Sequence, residues 1–144
     1  MEIYGDGILE NEVREMICQR NLQDKVIMKG FCKDVHGAIR TAAFYVMSSD
    51  FEGMPNALVE AMALGLPCIS TDCRCGGPGL LIQNKENGLL IPVKDVAAME
   101  QAMQMLAEEP ELAAQLGAKA VGVKQLVDTQ KVTDQWLSYI AQCL

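Results

Sequence analysis

Basic residues are scarce in this 144-residue chain: 12 Lys and Arg stand against 19 Asp and Glu, a formal net charge of −7. A grip on nucleic acid or on an anionic membrane needs clustered Lys and Arg, so both are excluded as electrostatic partners. Any phosphate the chain binds must be held by local geometry. Long hydrophobic runs are also missing, and none reaches the ~20 residues that cross a bilayer. The opening "MEIYGDGILENEV" has neither the charged nor the apolar region of a signal peptide. The single histidine, His36, falls on a predicted helix in "KDVHGAIRTA", where an exposed or satisfied imidazole is the ordinary case, and it is given no catalytic role. Zinc-knuckle spacing is absent as well. Cys73 and Cys75 with Cys32 and His36 would supply four ligands in number, but structural zinc sites use C-x2-4-C pairs. No metal is expected.

What is present is a core. Half of the residues are hydrophobic, enough for one globular domain at this length. The six cysteines are scattered, several inside apolar runs where a reduced thiol behaves as a small hydrophobe, and a reducing cytoplasm suits them. Short apolar runs bounded by turn residues predict strands in "EIYGD", "KVIMKGF", "FYVMSS", "PCIST" and "GLLIPV". Helical periodicity fills the intervals at 8–20, 34–43, 56–65 and 77–83. This alternation predicts an α/β fold: a Rossmann-like parallel sheet with helices on both faces. Beyond Pro92 the chain turns helical to its end, with Asp95 as a cap for the first helix. Met99, Ala102, Met103 and Leu106 share one face of that helix, and Trp136 and Ile140 sit four apart on the last; both sets are expected in the core.

The chemistry concentrates in "SSDFEGMPNALVEAMALG", residues 48–65. Sheets of this kind bind ligands beyond the carboxyl ends of their strands, which is where Asp50 to Gly53 fall. Pro55 suits the first helical position and Gly53 permits close backbone approach, so Gly53, Met54, Pro55, Asn56, Ala57 and Leu58 form a helix start that offers free amides to an anion. Oriented amides and a helix dipole hold phosphate without lysine. Glu52 and Glu60 are too far apart along the helix axis, at ~1.5 Å per residue, for a paired general acid and base. Two readings of them stand side by side. Either they contact different parts of one ligand through its hydroxyls, or Glu60 with Asn56 forms the wet stripe of an amphipathic helix and Glu52 is an exposed loop acid.

The Glu52-x7-Glu60 segment in its setting "SSDFEGMPNALVEAMALGLPCIST" closely resembles the E-x7-E region of retaining glycosyltransferases built from two Rossmann-like domains, the group 1 or family 4 type with the GT-B fold. "IYGDG" and "VIMKGF" resemble its upstream motifs, and "TDCRCGGPGLLI" and "NGLLIPVKD" its downstream ones. Five motifs in order carry the resemblance through most of the chain. It implies a nucleotide-sugar-binding domain over 1–144 that transfers sugar from a nucleotide diphosphate donor, a UDP-sugar in preference to GDP or ADP forms, in polysaccharide or glycolipid synthesis. Glu60 would bind the ribose and Glu52 the transferred sugar, as the catalytic-site acid. The amides of Gly53 to Leu58 would hold the diphosphate, and the loops at Gly5, Gly7, Gly30 and Phe31 would lie near base and diphosphate. Such enzymes need no metal. The whole enzyme would be cytoplasmic and peripheral to the inner membrane, with a glycan or lipid-linked acceptor.

Two departures from the family pattern qualify this. The acid of its Gly-Pro-x-Glu loop is replaced by Leu80, after Pro78 and Gly79. The amino-terminal acceptor domain and the first strand and helix of the donor domain, with their diphosphate-neutralising Arg and Lys, are absent, so the chain reads as an incomplete domain followed by carboxy-terminal helices. With that central strand missing, the sheet is expected to rearrange, to take a strand from another chain by self-association at its open edges, or to belong with an upstream piece. On its own the chain is expected to be inactive. The alternatives are a non-catalytic nucleotide- or partner-binding domain of the same fold and a two-domain sugar-nucleotide epimerase, the latter disfavoured by the E-x7-E.

Overall fold

The computed structural model describes Met1 to Cys143. All five expected strands and the helices between them are present, in strict β/α alternation, and four further helices follow the last strand. Both sheets are parallel, and helices cover both faces. The chain divides into two compact units, Met1–Ala38 and Ile39–Leu144, each with its own sheet.

In the first unit, β1 (Glu2–Tyr4) pairs with β2 (Ile27–Gly30) across α1 (Glu10–Gln19), with Ile3 opposite Met28 and an irregularity before Tyr4. Two acids in the first turn of α1 complement its dipole. Asn21, at φ 54°, ends the helix, in the left-handed conformation that asparagine tolerates. Side chains tie the strands as well: the Tyr4 hydroxyl donates to Glu2 at 2.6 Å, and Lys29 pairs with the same carboxylate at 2.9 Å. These contacts hold the Glu2 carboxyl below its ordinary range and push the Tyr4 phenol and the Lys29 ammonium up. The short helix α2 (Val35–Ile39), capped by the Asp34 carboxylate at the Gly37 amide, spans the boundary between the units and is shorter than the predicted 34–43.

The second unit has the order β3 (Tyr45–Met47), β4 (Cys68–Thr71), β5 (Leu89–Ile91). The central strand, β4, is buried along its whole length, as a parallel strand covered on both faces must be. Leu58, Ala61 and Met62 of α3 (Asn56–Ala63) are fully buried. A second cluster joins Ile69, Leu89 and Ile91 of the sheet to Ala102 and Leu106 of α5 (Val96–Glu108) and to Ala113 and Leu116 of α6 (Pro110–Ala120). Burying one such Leu or Ile contributes roughly 1.5–3 kcal/mol. Met99 and Met103 pack against this cluster beside Ala102 and Leu106, as their spacing predicts. Asp95 caps α5 by accepting from the Ala98 amide at 2.9 Å. Beyond α4 (Gly77–Leu81) and α7 (Val123–Leu126) lies α8 (Thr129–Cys143).

Two expectations are corrected here. Trp136 and Ile140 are 62% and 48% exposed, and α8 buries no residue. Their spacing identifies an apolar stripe, but among the described residues nothing covers it. The sheet has not rearranged to bring "EIYGD" beside "FYVMSS": β1 pairs with β2 and β3 with β4. Each of these strands keeps the neighbour that the order 3-2-1-4-5-6 assigns to it, and among the described residues β1 and β3 each pair on one side only.

Candidate donor site at the carboxyl edge of the second sheet

Parallel strands deliver all their following loops to one edge. Here those loops are 48–55 after β3, 72–76 after β4 and 92–95 after β5, and side chains link the first to both others. Asp50 pairs with Lys94 at 3.5 Å, an exposed contact contributing little. The links to the middle loop are part-buried. Thr71, the last residue of β4, donates its hydroxyl to the Ser49 carbonyl, and the Cys73 thiol donates to the same oxygen at 2.9 Å. The Ser49 hydroxyl in turn donates to Glu52 Oε1 at 2.8 Å.

The loop ends at Pro55, whose extended conformation makes it the residue before α3 and not the first helical residue as expected. Proline fits both positions: its φ suits either, and its missing N–H costs nothing at a helix start. Its carbonyl accepts from the amides of Leu58 at 3.0 Å and Val59 at 3.1 Å. That corrects the expected set of free amides. Leu58 is engaged and its side chain buried, and Pro55 has no N–H. Gly53, Met54, Asn56 and Ala57 remain, and among the described residues their amides donate to no backbone carbonyl. All four residues are exposed. The helix start therefore presents oriented donors and the positive end of a dipole toward solvent, with no competing side-chain cap.

Glu52 and Glu60 are both half-buried. They are brought into relation by Tyr45, the first residue of β3. Its phenol is pushed up to about 12, first by burial and then by the charges of Cys68, Glu52 and Glu60, so both carboxylates lie within electrostatic reach of one ring. Asn56, one helical turn before Glu60, is exposed. The remaining predicted residues lie in the first unit: Gly5 follows β1 and donates its amide to the carbonyl of Gly30, the last residue of β2, at 2.8 Å. Gly5 and Gly30 both have positive φ, which a side chain would strain. Gly7 precedes α1, and Phe31 is 72% exposed.

The Gly-rich loop underlies the helix start. A β-carbon on Gly77 would fall 1.6 Å from the Gly53 carbonyl oxygen and 3.0 Å from Pro55 Cδ, so only glycine permits this packing. Leu80, the residue in place of the family's acid, is 74% exposed. Ser49, Thr71, Cys73 and Gly77 are not among the expected site residues. The one local signal was the Ser-x-x-Glu spacing of Ser49 and Glu52; the other contacts span 22 residues or more.

The family model described as "Glycosyl transferases group 1" matches residues 1–109. A poly(ribitol-phosphate) alpha-N-acetylglucosaminyltransferase of Staphylococcus aureus (strain COL) is 28% identical over 94% of the chain, which spans 28% of that relative. An N-acetylgalactosamine-N,N'-diacetylbacillosaminyl-diphospho-undecaprenol 4-alpha-N-acetylgalactosaminyltransferase of Campylobacter jejuni is 29% identical over 96% of the chain, which spans 38% of it. Among solved structures, an S. aureus TarM mutant in complex with fondaparinux, alpha-GlcNAc-glycerol and UDP superimposes with a TM-score of 0.89 at 28% identity. The match covers 95% of this chain and 28% of that one. The Anabaena protein Alr3699/HepE, solved with UDP-glucose, shares the fold with a TM-score of 0.88 at 20% identity, over 98% of this chain and 40% of that one. The chain thus spans well under half the length of these relatives.

Proposed function

The chain belongs to the group 1 glycosyl transferases, and from that premise we propose that it is the donor-binding part of a retaining enzyme moving a sugar from a UDP-sugar to an acceptor hydroxyl in polysaccharide or glycolipid synthesis. The observation that carries this reading is the start of α3, where four exposed residues have amides that, among the described residues, donate to no backbone carbonyl, with Glu52 just before them and Glu60 on the helix behind. The amides of Gly53, Met54, Asn56 and Ala57 would hold the diphosphate with the helix dipole, in place of a metal ion. Glu60 would accept from the ribose hydroxyls and Glu52 from the transferred sugar. UDP in the solved S. aureus relative supports a uridine donor.

Catalysis in the whole enzyme would lie in fixing the donor and stabilising the departing diphosphate as its charge develops. Residues 1–144 taken alone are expected to bind donor without transferring sugar. Thermal unfolding with and without ligand tests the reading: UDP should raise the melting temperature by mass action, and Glu60→Gln should remove most of that rise. A chain whose unfolding is indifferent to millimolar UDP would overturn the reading.

A further inference from the structure

A carboxylate that must meet one sugar hydroxyl is useful only if its orientation is set beforehand, because glutamate has three rotatable bonds to immobilise. Glu52 lies on a loop with no regular secondary structure, yet its Oε1 is engaged by the Ser49 hydroxyl. We propose that Ser49 is a positioning residue that fixes the Glu52 carboxylate for the sugar moiety of the donor, and that Thr71 and Cys73 hold Ser49 in place. This rests on the reading of Glu52 as the sugar contact.

The hydrogen inventory closes. Ser49 has one hydroxyl hydrogen, which goes to Glu52 and leaves Oε2 to accept from a ligand. The Ser49 carbonyl has two lone pairs, and two donors reach it: the Thr71 hydroxyl and the Cys73 thiol, each with one hydrogen to give. Cys73 has further partners in the Thr71 hydroxyl at 3.4 Å and the Thr71 carbonyl at 3.6 Å, but the Ser49 carbonyl is nearer than either, at 2.9 Å. Thr71 and Cys73 are 3% and 2% exposed, and Thr71 ends the fully buried strand β4. Their two-residue spacing at a strand end turns both side chains to the same side, so the end of a fully buried strand anchors a loop 22 and 24 residues earlier. A buried polar group needs a partner in any case. Here both donate to one carbonyl, that of the residue whose hydroxyl donates to Glu52.

The experiment is calorimetric titration of residues 1–144 with UDP, UDP-glucose and UDP-N-acetylglucosamine, reading the ratio of the UDP dissociation constant to that of the better-bound UDP-sugar. In the native chain the ratio should exceed about ten, and Glu52→Gln should bring it to about one. Ser49→Ala should lower it about tenfold, the lower end of the scale of a hydrogen bond to a charged group, with UDP itself bound as before. Ser49→Thr, which restores the hydroxyl, should recover it. Cys73→Ala should lower the ratio and Cys73→Ser preserve it, which separates loop anchoring from loss of bulk. If the native chain fails to bind UDP, the donor-binding function fails and this inference with it. If UDP binds but the native ratio is one, or Glu52→Gln leaves it intact, donor binding survives and the positioning role is overturned. A ratio lost in Glu52→Gln and kept in Ser49→Ala also overturns it.

Discussion

Gly77 lies directly against the carbonyl of Gly53: a β-carbon on Gly77 would sit 1.6 Å from that oxygen. The obstacle is backbone, not the movable end of a side chain, so substitution must displace the loop that leads into α3. Gly77→Ala is expected to cost about 1–3 kcal/mol, the range of overpacked cores, and to abolish the UDP-induced rise in melting temperature. Gly76→Ala is the control. Gly76 has φ +76° but open space around it, so the substitution should cost about 1–2 kcal/mol through backbone strain and leave the UDP response in place. Melting curves of both variants with and without UDP check the pair.

The far end of α3 is held by a similar approach. A β-carbon on Gly117 of α6 would meet the Gly65 carbonyl at 2.3 Å and Pro67 Cδ at 3.3 Å, and Gly65 itself is left-handed at φ +80° after the helix. Helix propensity alone would make Gly117→Ala stabilising by about 1 kcal/mol. The overlap with backbone outweighs it, and the expected result is a melting temperature lowered by a few degrees. A rise would show that α6 can withdraw from the turn without loss.

Exposure of the last helix makes an opposite expectation. Trp136 is 62% exposed and meets Tyr139 edge to face at a centroid distance of 6.3 Å. Trp136→Ala should change the stability of residues 1–144 by within about 0.5–1.5 kcal/mol, the value of the ring contact and not of a core aromatic, whose loss costs about 3–5 kcal/mol. The native tryptophan should also emit near the wavelength of a solvated indole and be freely quenched by acrylamide.

Trp136 also marks where the sequence is legible and where it is not. Periodicity identifies an apolar stripe on α8 but carries no information about what lies opposite it. For Met99, Ala102, Met103 and Leu106 the same pattern led to the right answer, because the sheet of the same unit covers that helix. Strands were readable because each short apolar run ends in Gly, Pro or Asp, and the helix start at 55–56 was misjudged by one residue because proline serves equally well on either side of the boundary. The carboxylate pair was visible as a spacing. Its support was not: Ser49 to Thr71, Ser49 to Cys73 and Gly53 to Gly77 are tertiary contacts, and a polar residue at a strand end reads the same whether it faces water or a carbonyl.

Burial of titratable groups predicts how the second unit responds to alkali. Burial raises the Cys68 thiol from 9.0 to about 12, and burial with nearby negative charge raises the Tyr45 phenol from 10.0 to about 12. Both groups are neutral in their protonated forms and keep their protons longer when folded. Between pH 9 and about 12 the unfolded chain therefore binds fewer protons than the folded one, and stability falls as pH rises. Their contribution is intact below pH 9 and is lost through the folded values near 12. Chemical denaturation from pH 7 to 11 should show a midpoint that declines above pH 9. Tyr45→Phe should reduce the slope above pH 10, and Cys68→Ala should reduce it from pH 9 while adding its own pH-independent cavity cost. The native Cys68 thiol should resist alkylation at pH 8 while the exposed Cys18, Cys75 and Cys143 react. A midpoint independent of pH over this range, or prompt alkylation of Cys68, would mean that β4 is open to solvent and that the anchor it provides for the donor loop is not rigid.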